Sequence, residues 1–247
     1  MATGAKNAFA RHVFSVQRYV ALTAARYVSL HQPGLVTHPV ICFGDPTNAR
    51  IITVGLNPSF GEFTQKRGWP TSLDHEKLSE RCRGYFSGAN QPHNWFDPWI
   101  TGLRHASLKY TSGAAVHIDL SPRATRFVSD FKLSEQTLFR EMVERDLWTF
   151  FGTLELCRAA EWLFIAGTVT GKFYINEFLQ RYAPDHGYKL DGSFVRSRHA
   201  GRGKTAIHVL TGGGRKLNVF FCSSSPSDRS PTLLPQRLME NVRHWKR

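Results

Sequence analysis

The segment VGLNPSF, Val54 to Phe60, directly follows the apolar run ARIIT, Ala49 to Thr53. A short apolar run that ends in glycine and an Asn-Pro pair predicts a buried strand followed by a turn. In open α/β sheets, ligands bind beyond the carboxyl ends of the strands. We therefore expect the side chain of Asn57 to lie at a binding site.

Apolar runs alternate with helical patterns along the rest of the chain, which is typical of a mostly parallel sheet with helices on both faces. Because α/β domains of this length commonly stay undivided, we predict a single domain over residues 1–247. Its predicted architecture is a three-layer α/β/α fold around a central, mostly parallel sheet. Residues 1–45 are expected to form a helical N-terminal extension, and residues 187–215 a basic hairpin and loop insertion.

The predicted elements follow from apolar periodicity and from turn residues. The predicted strands are 51–56, 114–120, 162–167, 188–195, 206–210 and 217–222. The predicted helices are 8–30, 75–85, 95–108, 134–160, 171–182 and 234–245. Within helix 134–160 we expect Ser134 to be the N-cap and Gly152 to mark a break.

Composition limits the class of protein. Hydrophobic residues make up 41% of the chain and aromatic residues 13%, which argues against disorder. The longest apolar run, Trp162 to Ala166, is too short to cross a bilayer, so no membrane partner is expected. Four cysteines without a CxxC pair favour reduced thiols in a cytosol, such as the bacterial cytosol or nucleoid. The segment before Asp45 lacks acidic residues, and it fits either an organelle transit peptide or an amphipathic helix.

The charge of the chain is strongly positive, with 32 Lys and Arg against 19 Asp and Glu, a net charge of +13. From Gly187 to the end there are 12 basic residues and 3 acidic ones. Such a surface suits a polyanion, and nucleic acid is favoured over a merely solvated basic surface or an anionic membrane. The candidate phosphate contacts share one glycine-punctuated stretch, and they are Arg196, Arg198, Arg202 and Lys204.

Three predicted strands end in polar residues that a core does not need. Asn57 follows the first strand, Asp119 ends the second, and Ser225-Pro226-Ser227 follows the last. Each alone also fits a helix cap or a turn. Because the carboxyl ends of parallel strands meet at one edge, we expect all three to converge there.

These segments resemble motifs of the uracil-DNA glycosylase superfamily. VGLNPSF is similar to the Gly-x-Asn-Pro-Gly motif of the mismatch-specific and single-strand-selective monofunctional branches. HIDLSPRAT and EWLFIAG are similar to the second and third strands of the mismatch-specific branch. SPSDRSP, Ser225 to Pro231, shares four residues with the last motif of the single-strand-selective branch, His-Pro-Ser-Pro-Arg-Asn-Pro. The resemblance spans roughly Ala49 to Leu234 and departs at two positions, with Ser225 for the usual His or Asn and Ser59 for the usual Gly.

The resemblance implies a monofunctional enzyme that releases uracil, or a related deaminated base, from DNA without a cofactor or metal. Asn57 would hold the attacking water, and Ser225 would stabilise charge on the departing base. No lysine in the matched motifs is placed as a nucleophile. We expect a monomer that binds DNA containing uracil or abasic sites. The residues implied to line the base pocket are Gly55, Leu56, Pro58, Ser59 and Asp119, and those implied to enter the DNA are Pro226, Ser227, Asp228, Arg229 and Ser230.

Two features leave alternatives open. Phe63 and Trp69 are candidates to stack on the base, and core packing explains either equally well. Asp119 stands where a reader of uracil must both accept and donate a hydrogen bond. Either Asp119 is protonated in a desolvated pocket, or a backbone N–H meets O4, or the preferred base offers an amino group.

Two other functions are weighed against the glycosylase. Ser225 at the head of the last motif makes a non-catalytic binder of damaged bases or abasic sites plausible. A metal-dependent phosphodiesterase is the third candidate, and its residues would be His93, Asp97, His117, Asp119 and His199. The spacing of these residues matches no familiar metal-binding pattern, which disfavours this candidate.

Overall fold

A central sheet of six strands organises this computed structural model, which describes residues 2–63, 69, 74–87, 92–105, 108–166, 175–193 and 205–222. The strands are β1 (Ile51–Gly55), β2 (Ala115–Asp119), β3 (Trp162–Ala166), β4 (Tyr188–Ser193), β5 (Thr205–Gly212) and β6 (Arg215–Cys222). Their order across the sheet is β2-β1-β3-β6-β5-β4. The first three pairs in that order are parallel, and the β6–β5 and β5–β4 pairs are antiparallel. The sheet is therefore mixed and mostly parallel, and the predicted α/β class is confirmed.

Strands β1 and β2 carry the candidate site residues at their carboxyl ends. Every residue of both strands is buried. Burial on both faces fits the apolar residues of both strands, and β2 also buries the polar side chains of His117 and Asp119. The register pairs Thr53 with His117 and Gly55 with Asp119, so the two strands end at the same level of the sheet.

The helices are α1 (Ala2–Thr23), α2 (His75–Arg83), α3 (Asp97–His105), α4 (Leu133–Leu156) and α5 (Ile175–Tyr182). A 3₁₀ segment, Ala24–Leu30, continues α1. Phe9, Val13 and Val16 lie on one face of α1 and are buried, so the predicted N-terminal extension packs into the core. Among the described helices, none has the length and apolarity needed to cross a membrane.

Helix α4 differs from its prediction at two points. It runs without interruption past Gly152, so the predicted break is wrong. A Cβ atom at Gly152 would lie 2.5 Å from Cε1 of His12, so this glycine makes room for α1. The predicted cap at Ser134 is also wrong, because the N-cap is Lys132. The Lys132 backbone N–H donates to Oε2 of Glu135 at 2.8 Å, which satisfies one group of the first turn.

The β5–β6 hairpin turns at Gly213 and Gly214, whose φ angles are 57° and 73°. Two consecutive left-handed residues are what a tight two-residue hairpin requires, and glycine adopts them without strain. The hairpin places β6 beside β3 in the parallel part of the sheet. The predicted helix 234–245 lies outside the described residues.

Candidate active site

The segments that follow β1 and β2 lie side by side beyond the ends of the strands. The N–H groups of Leu120 and Ser121 donate to the carbonyls of Gly55 and Leu56, both at 3.0 Å. Further along, the Phe60 N–H donates to the Thr125 carbonyl at 3.1 Å. Backbone pairing thus continues outside the sheet, and it fixes the Asn-Pro turn against the loop after β2.

The amide of Asn57 is held in one orientation. Its Nδ2 donates to the carbonyls of Pro58 at 3.0 Å and Arg123 at 3.2 Å, and to Oγ1 of Thr125 at 2.9 Å. Because backbone carbonyls only accept hydrogen bonds, the atom facing them must be the nitrogen. Within the described part of the chain, Oδ1 accepts no hydrogen bond, and Asn57 is partly exposed. The amide oxygen is therefore left to accept from a water or a ligand.

Arg123 anchors the loop that holds Asn57. Its side chain is buried, and Nε lies 3.0 Å from Oδ2 of Asp146 in α4. Its other nitrogens donate to the Val20 carbonyl at 3.1 Å and to Oγ1 of Thr23, so the same guanidinium also binds the end of α1. Burial raises the pKa of Asp146, and the guanidinium opposes that shift. Arg123 therefore joins the loop after β2 to two helices.

Sequence reasoning assigned no role to Arg123 or Thr125, although both lie in the matched stretch HIDLSPRAT. Thr125 is buried and donates to the Arg126 carbonyl at 2.9 Å, so its oxygen is turned to accept from Asn57. The Arg-x-Thr pattern was the sequence signal that could have pointed to these two residues. Its meaning depends on partners in α1, in α4 and after β1, which a local motif does not reveal.

Gly55 and Asp119 are packed too closely for any side chain at position 55. A Cβ atom there would lie 2.1 Å from Oδ1 of Asp119 and 2.9 Å from Nε2 of His117. Leu56 and Pro58 are buried, and Ser59 is partly exposed. The Ser59 hydroxyl oxygen accepts from the Gly61 N–H at 3.2 Å and so begins the next turn. The predicted pocket residues therefore share one edge of the sheet.

Asp119 has a partner that the sequence did not identify. Oδ1 of Asp119 lies 3.2 Å from Nε2 of His117, and both side chains are buried. The two residues are separated by one position on β2, so their side chains leave the same face of the strand. Aromatic rings surround His117, with ring centroids 4.9 Å away for Trp95 and 5.1 Å away for Phe96. The carboxylate thus sits at the rim of an aromatic cluster.

Phe63 and Trp69, the candidate stacking residues, lie beside each other with ring centroids 5.0 Å apart. Phe63 is buried, and its surroundings favour the core-packing alternative. Trp69 is partly exposed, and the Arg81 guanidinium lies 5.0 Å from its ring centroid. Its Nε1–H is buried and meets no acceptor among the described residues. Trp69 is thus the better placed of the two to contact a ligand.

A second buried carboxylate, Glu62, lies near the same turn and was not predicted. The Tyr85 hydroxyl donates to Oε2 of Glu62 at 2.7 Å and accepts from the His93 N–H at 3.1 Å. The His93 ring lies next to Gly61, where an added Cβ would be 3.3 Å from Nε2. Glu62, Tyr85 and His93 therefore fix the turn that follows Ser59.

Several predicted residues lie outside the described part of the chain. They are Ser225, Pro226, Ser227, Asp228, Arg229, Ser230, Arg196, Arg198, Arg202, Lys204 and His199. Over the described ranges, no group of three or more His, Cys, Asp or Glu side chains is arranged to hold a metal ion. His117 and Asp119 contact each other within the buried network instead.

The sequence matches no protein-family model, and no curated protein is significantly similar to it. Function is therefore inferred from the geometry of the site together with the motif resemblance. The features that bear on it are the fixed amide of Asn57 and the buried carboxylate of Asp119 at one sheet edge.

Proposed function

We propose that the protein is a monofunctional DNA glycosylase that flips uracil, or a related deaminated base, out of DNA and hydrolyses its N-glycosidic bond. The product is an abasic site. The observation that carries this proposal is the fixed amide of Asn57, whose nitrogen is bound by protein acceptors while its oxygen is left for a ligand. This arrangement suits a side chain that orients a water molecule.

Hydrolysis of an N-glycosidic bond requires little general acid or base catalysis. Cleavage of an N-glycosidic bond passes through an oxocarbenium-like sugar and a departing base anion, so a positioned water and donors toward the base supply most of the catalysis. An amide does not remove a proton at neutral pH. Asn57 would act by orientation, and its three donor contacts keep the oxygen in place without reorganisation during the reaction.

Charge supports DNA as the substrate-bearing polymer. The net charge of +13 favours binding to phosphate, and flipping brings the target base out of the stack into a pocket. The pocket would be formed by the Asn57 turn, by Asp119 and by Trp69. Ser225 would meet the negative charge on the base, and residues 226–230 would enter the duplex, as the motif resemblance implies.

The test is release of free base from oligonucleotides that each carry one altered base. Single-turnover reactions followed by chemical cleavage of abasic sites should show release by the wild-type protein. Asn57→Ala should lower the rate by about 100-fold or more with nearly unchanged DNA affinity, because positioning is lost and phosphate contacts are not. Asn48→Ala, at an exposed turn, is the matched control and should leave release unchanged.

A non-catalytic binder is the second candidate, favoured by Ser225 at the head of the last motif. Tight binding of uracil or abasic DNA without any base release would establish it and contradict the glycosylase. Strand cleavage that is abolished by EDTA would instead indicate a metal-dependent phosphodiesterase. The glycosylase should release base equally well with the chelator present.

A further inference from the structure

Four buried polar side chains form a continuous row from the interior of the sheet to Asp119. The Tyr110 hydroxyl lies 2.6 Å from Oγ1 of Thr53, and that oxygen lies 2.9 Å from Nδ1 of His117. Nε2 of His117 then lies 3.2 Å from Oδ1 of Asp119. None of the four side chains is more than slightly exposed. A core does not require such a row, because apolar residues would fill the same space without needing partners.

The protons available in this row determine which group donates each hydrogen bond and which accepts it. Burial raises the pKa of Tyr110, so its hydroxyl keeps its proton, and Thr53 is its hydrogen-bond partner among the described residues. Tyr110 therefore donates to Thr53. The nearest acceptor for the Thr53 proton is Nδ1 of His117 at 2.9 Å, whereas the Val116 carbonyl is 3.4 Å away. A hydrogen bond at the shorter distance is the stronger one.

The direction of these hydrogen bonds determines the protonation of His117 and Asp119. When Nδ1 of His117 accepts from Thr53, a neutral ring carries its proton on Nε2. Nε2–H then donates to Oδ1 of Asp119, which acts as an ionised acceptor. In the reverse direction, Thr53 donates either to the Val116 carbonyl over 3.4 Å, or to Tyr110, whose buried proton is then left without an acceptor among the described residues. A neutral His117 ring with a bare Nε2 would then require a proton on Asp119. The first arrangement satisfies every group with its closest partner.

We propose that Thr53 and His117 are positioning residues that hold Asp119 as an ionised, acceptor-only group facing the bound base. This inference rests on the proposed glycosylase function. It excludes the first of the three alternatives for Asp119, the protonated carboxyl, because a carboxylate held in this way accepts from an N–H group of the base and donates nothing. A backbone N–H to O4 and a base with an amino group both remain. A carbonyl oxygen such as O4 of uracil must then receive its hydrogen bond from another group.

The first experiment does not depend on turnover. Nitrogen-15 NMR of the histidine rings in the wild-type protein at neutral pH, with His117 identified by comparison with His117→Phe, reports which ring nitrogen carries the proton. We expect a proton on Nε2 and a bare, hydrogen-bonded Nδ1. A proton on Nδ1 with a bare Nε2 would overturn the proposal, because Asp119 would then be the donor.

The second experiment uses the orientation that His117 imposes. In Asp119→Asn, the Nε2–H of His117 would hold the amide oxygen, and the amide N–H₂ would face the base where an acceptor is needed. Single-turnover release of uracil should fall about 10- to 100-fold, the effect of losing a hydrogen bond to a charged group. Full release by this variant would show that Asp119 does not act as an ionised acceptor.

Thr53→Val and Tyr110→Phe separate positioning from structural support. Thr53→Val removes the donor to Nδ1 with little change of shape. The proton should stay on Nε2, where Asp119 holds it, while Nδ1 loses its hydrogen bond, which the nitrogen-15 shift of Nδ1 reports, and uracil release should fall about 10-fold. Tyr110→Phe leaves Thr53 able to donate, so its loss should be smaller and its NMR pattern should match the wild type. Equal losses of release in both variants, with the Nδ1 signal of His117 unchanged from the wild type in both, would contradict the positioning role. Absence of base release from every substrate would refute the glycosylase, while the NMR result would still decide the direction of the row.

Discussion

A Cβ atom at Gly55 would lie 2.1 Å from Oδ1 of Asp119, because the two residues are register partners on adjacent parallel strands. The φ angle of Gly55 is not in the left-handed region, so a glycine is required by this contact and by the one with Nε2 of His117 at 2.9 Å, not by the backbone conformation. Gly55→Ala should displace the carboxylate from His117, lower the free energy of unfolding by about 1–3 kcal/mol and impair base release. Urea unfolding and single-turnover kinetics measure both effects.

Gly4→Ala is the matched control for this substitution. An added Cβ at Gly4 meets no atom within 4 Å, and alanine favours helix α1, so stability should not decrease. Adding Asp119→Ala to Gly55→Ala removes the colliding oxygen and should recover part of the lost stability. A Gly55→Ala protein as stable and active as the wild type would show that the carboxylate moves without cost.

The buried ion pair of Arg123 and Asp146 should be strongly coupled. Asp146→Asn leaves the guanidinium buried without its counter-charge, which should cost about 3–5 kcal/mol in the free energy of unfolding. A double-mutant cycle consists of the wild type, Arg123→Met, Asp146→Leu and the variant with both substitutions. The double variant should be less destabilised than the sum of these two single variants. Urea unfolding of all four proteins measures the coupling, and additive effects would mean that the pair acts as two independent hydrogen-bonding groups.

The strands next to the site could be predicted closely from the sequence. The predicted strand 51–56 is one residue longer than β1, and the predicted strand 114–120 is one residue longer than β2 at each end. Both were found because mostly apolar residues mark strands that are buried on both faces. The antiparallel strand β5 is longer than predicted at both ends. Its limits depend on pairing with β4 and β6, and the local sequence does not encode that pairing.

The sequence predicted where the candidate site lies, but it did not predict the contacts that its residues make. Asn57 and Asp119 stand out because polar residues at strand ends have no role in a core. Arg123 and Thr125 do not stand out, and His117 stands out only as a candidate metal ligand. Each of the three gains its role from a partner distant along the chain, such as Thr53 or Asp146. The helix break predicted at Gly152 was wrong for the same reason, because this glycine packs against His12 of α1, which is distant along the chain.

Binding to undamaged DNA should weaken steeply with salt if the basic surface contacts phosphate. Neutralising the four basic residues of the stretch 196–204 together should reduce the slope of log K against log salt by about 3–4, provided that each residue neutralises one phosphate. Fluorescence anisotropy over a salt series measures the slope. The control protein loses the same charge at exposed positions elsewhere, through glutamine at Arg11, Arg18, Lys132 and Arg158.

The control protein should retain most of the slope, because scattered charges steer DNA without releasing bound counterions. Equal slopes for the two neutralised proteins would indicate that total charge alone matters. A slope unchanged from that of the wild type in the first protein would identify the stretch 196–204 as solvated surface.

His12 should make the docking of α1 sensitive to acid. Its Nε2 donates to the Thr149 carbonyl at 3.2 Å and contacts Oγ1 of Thr153 at 3.1 Å. Burial lowers the pKa of His12 from 6.5, and the hydrogen bond to Thr149 only partly opposes this. The unfolded chain therefore takes up the proton first as pH falls. The stabilisation is complete above about pH 6.5 and is lost as pH falls through the lowered pKa of the folded state.

Urea unfolding at several pH values between about 5 and 8 measures this loss. His12→Gln keeps a side-chain donor but does not titrate, so its unfolding midpoint should fall less than that of the wild type over the same range. Burial also lowers the pKa of His31, His186 and His208, so the variant should retain part of the acid sensitivity. Identical pH profiles for the two proteins would mean that His12 binds its proton equally in the folded and unfolded states, and the contact with α4 would then contribute nothing to acid sensitivity.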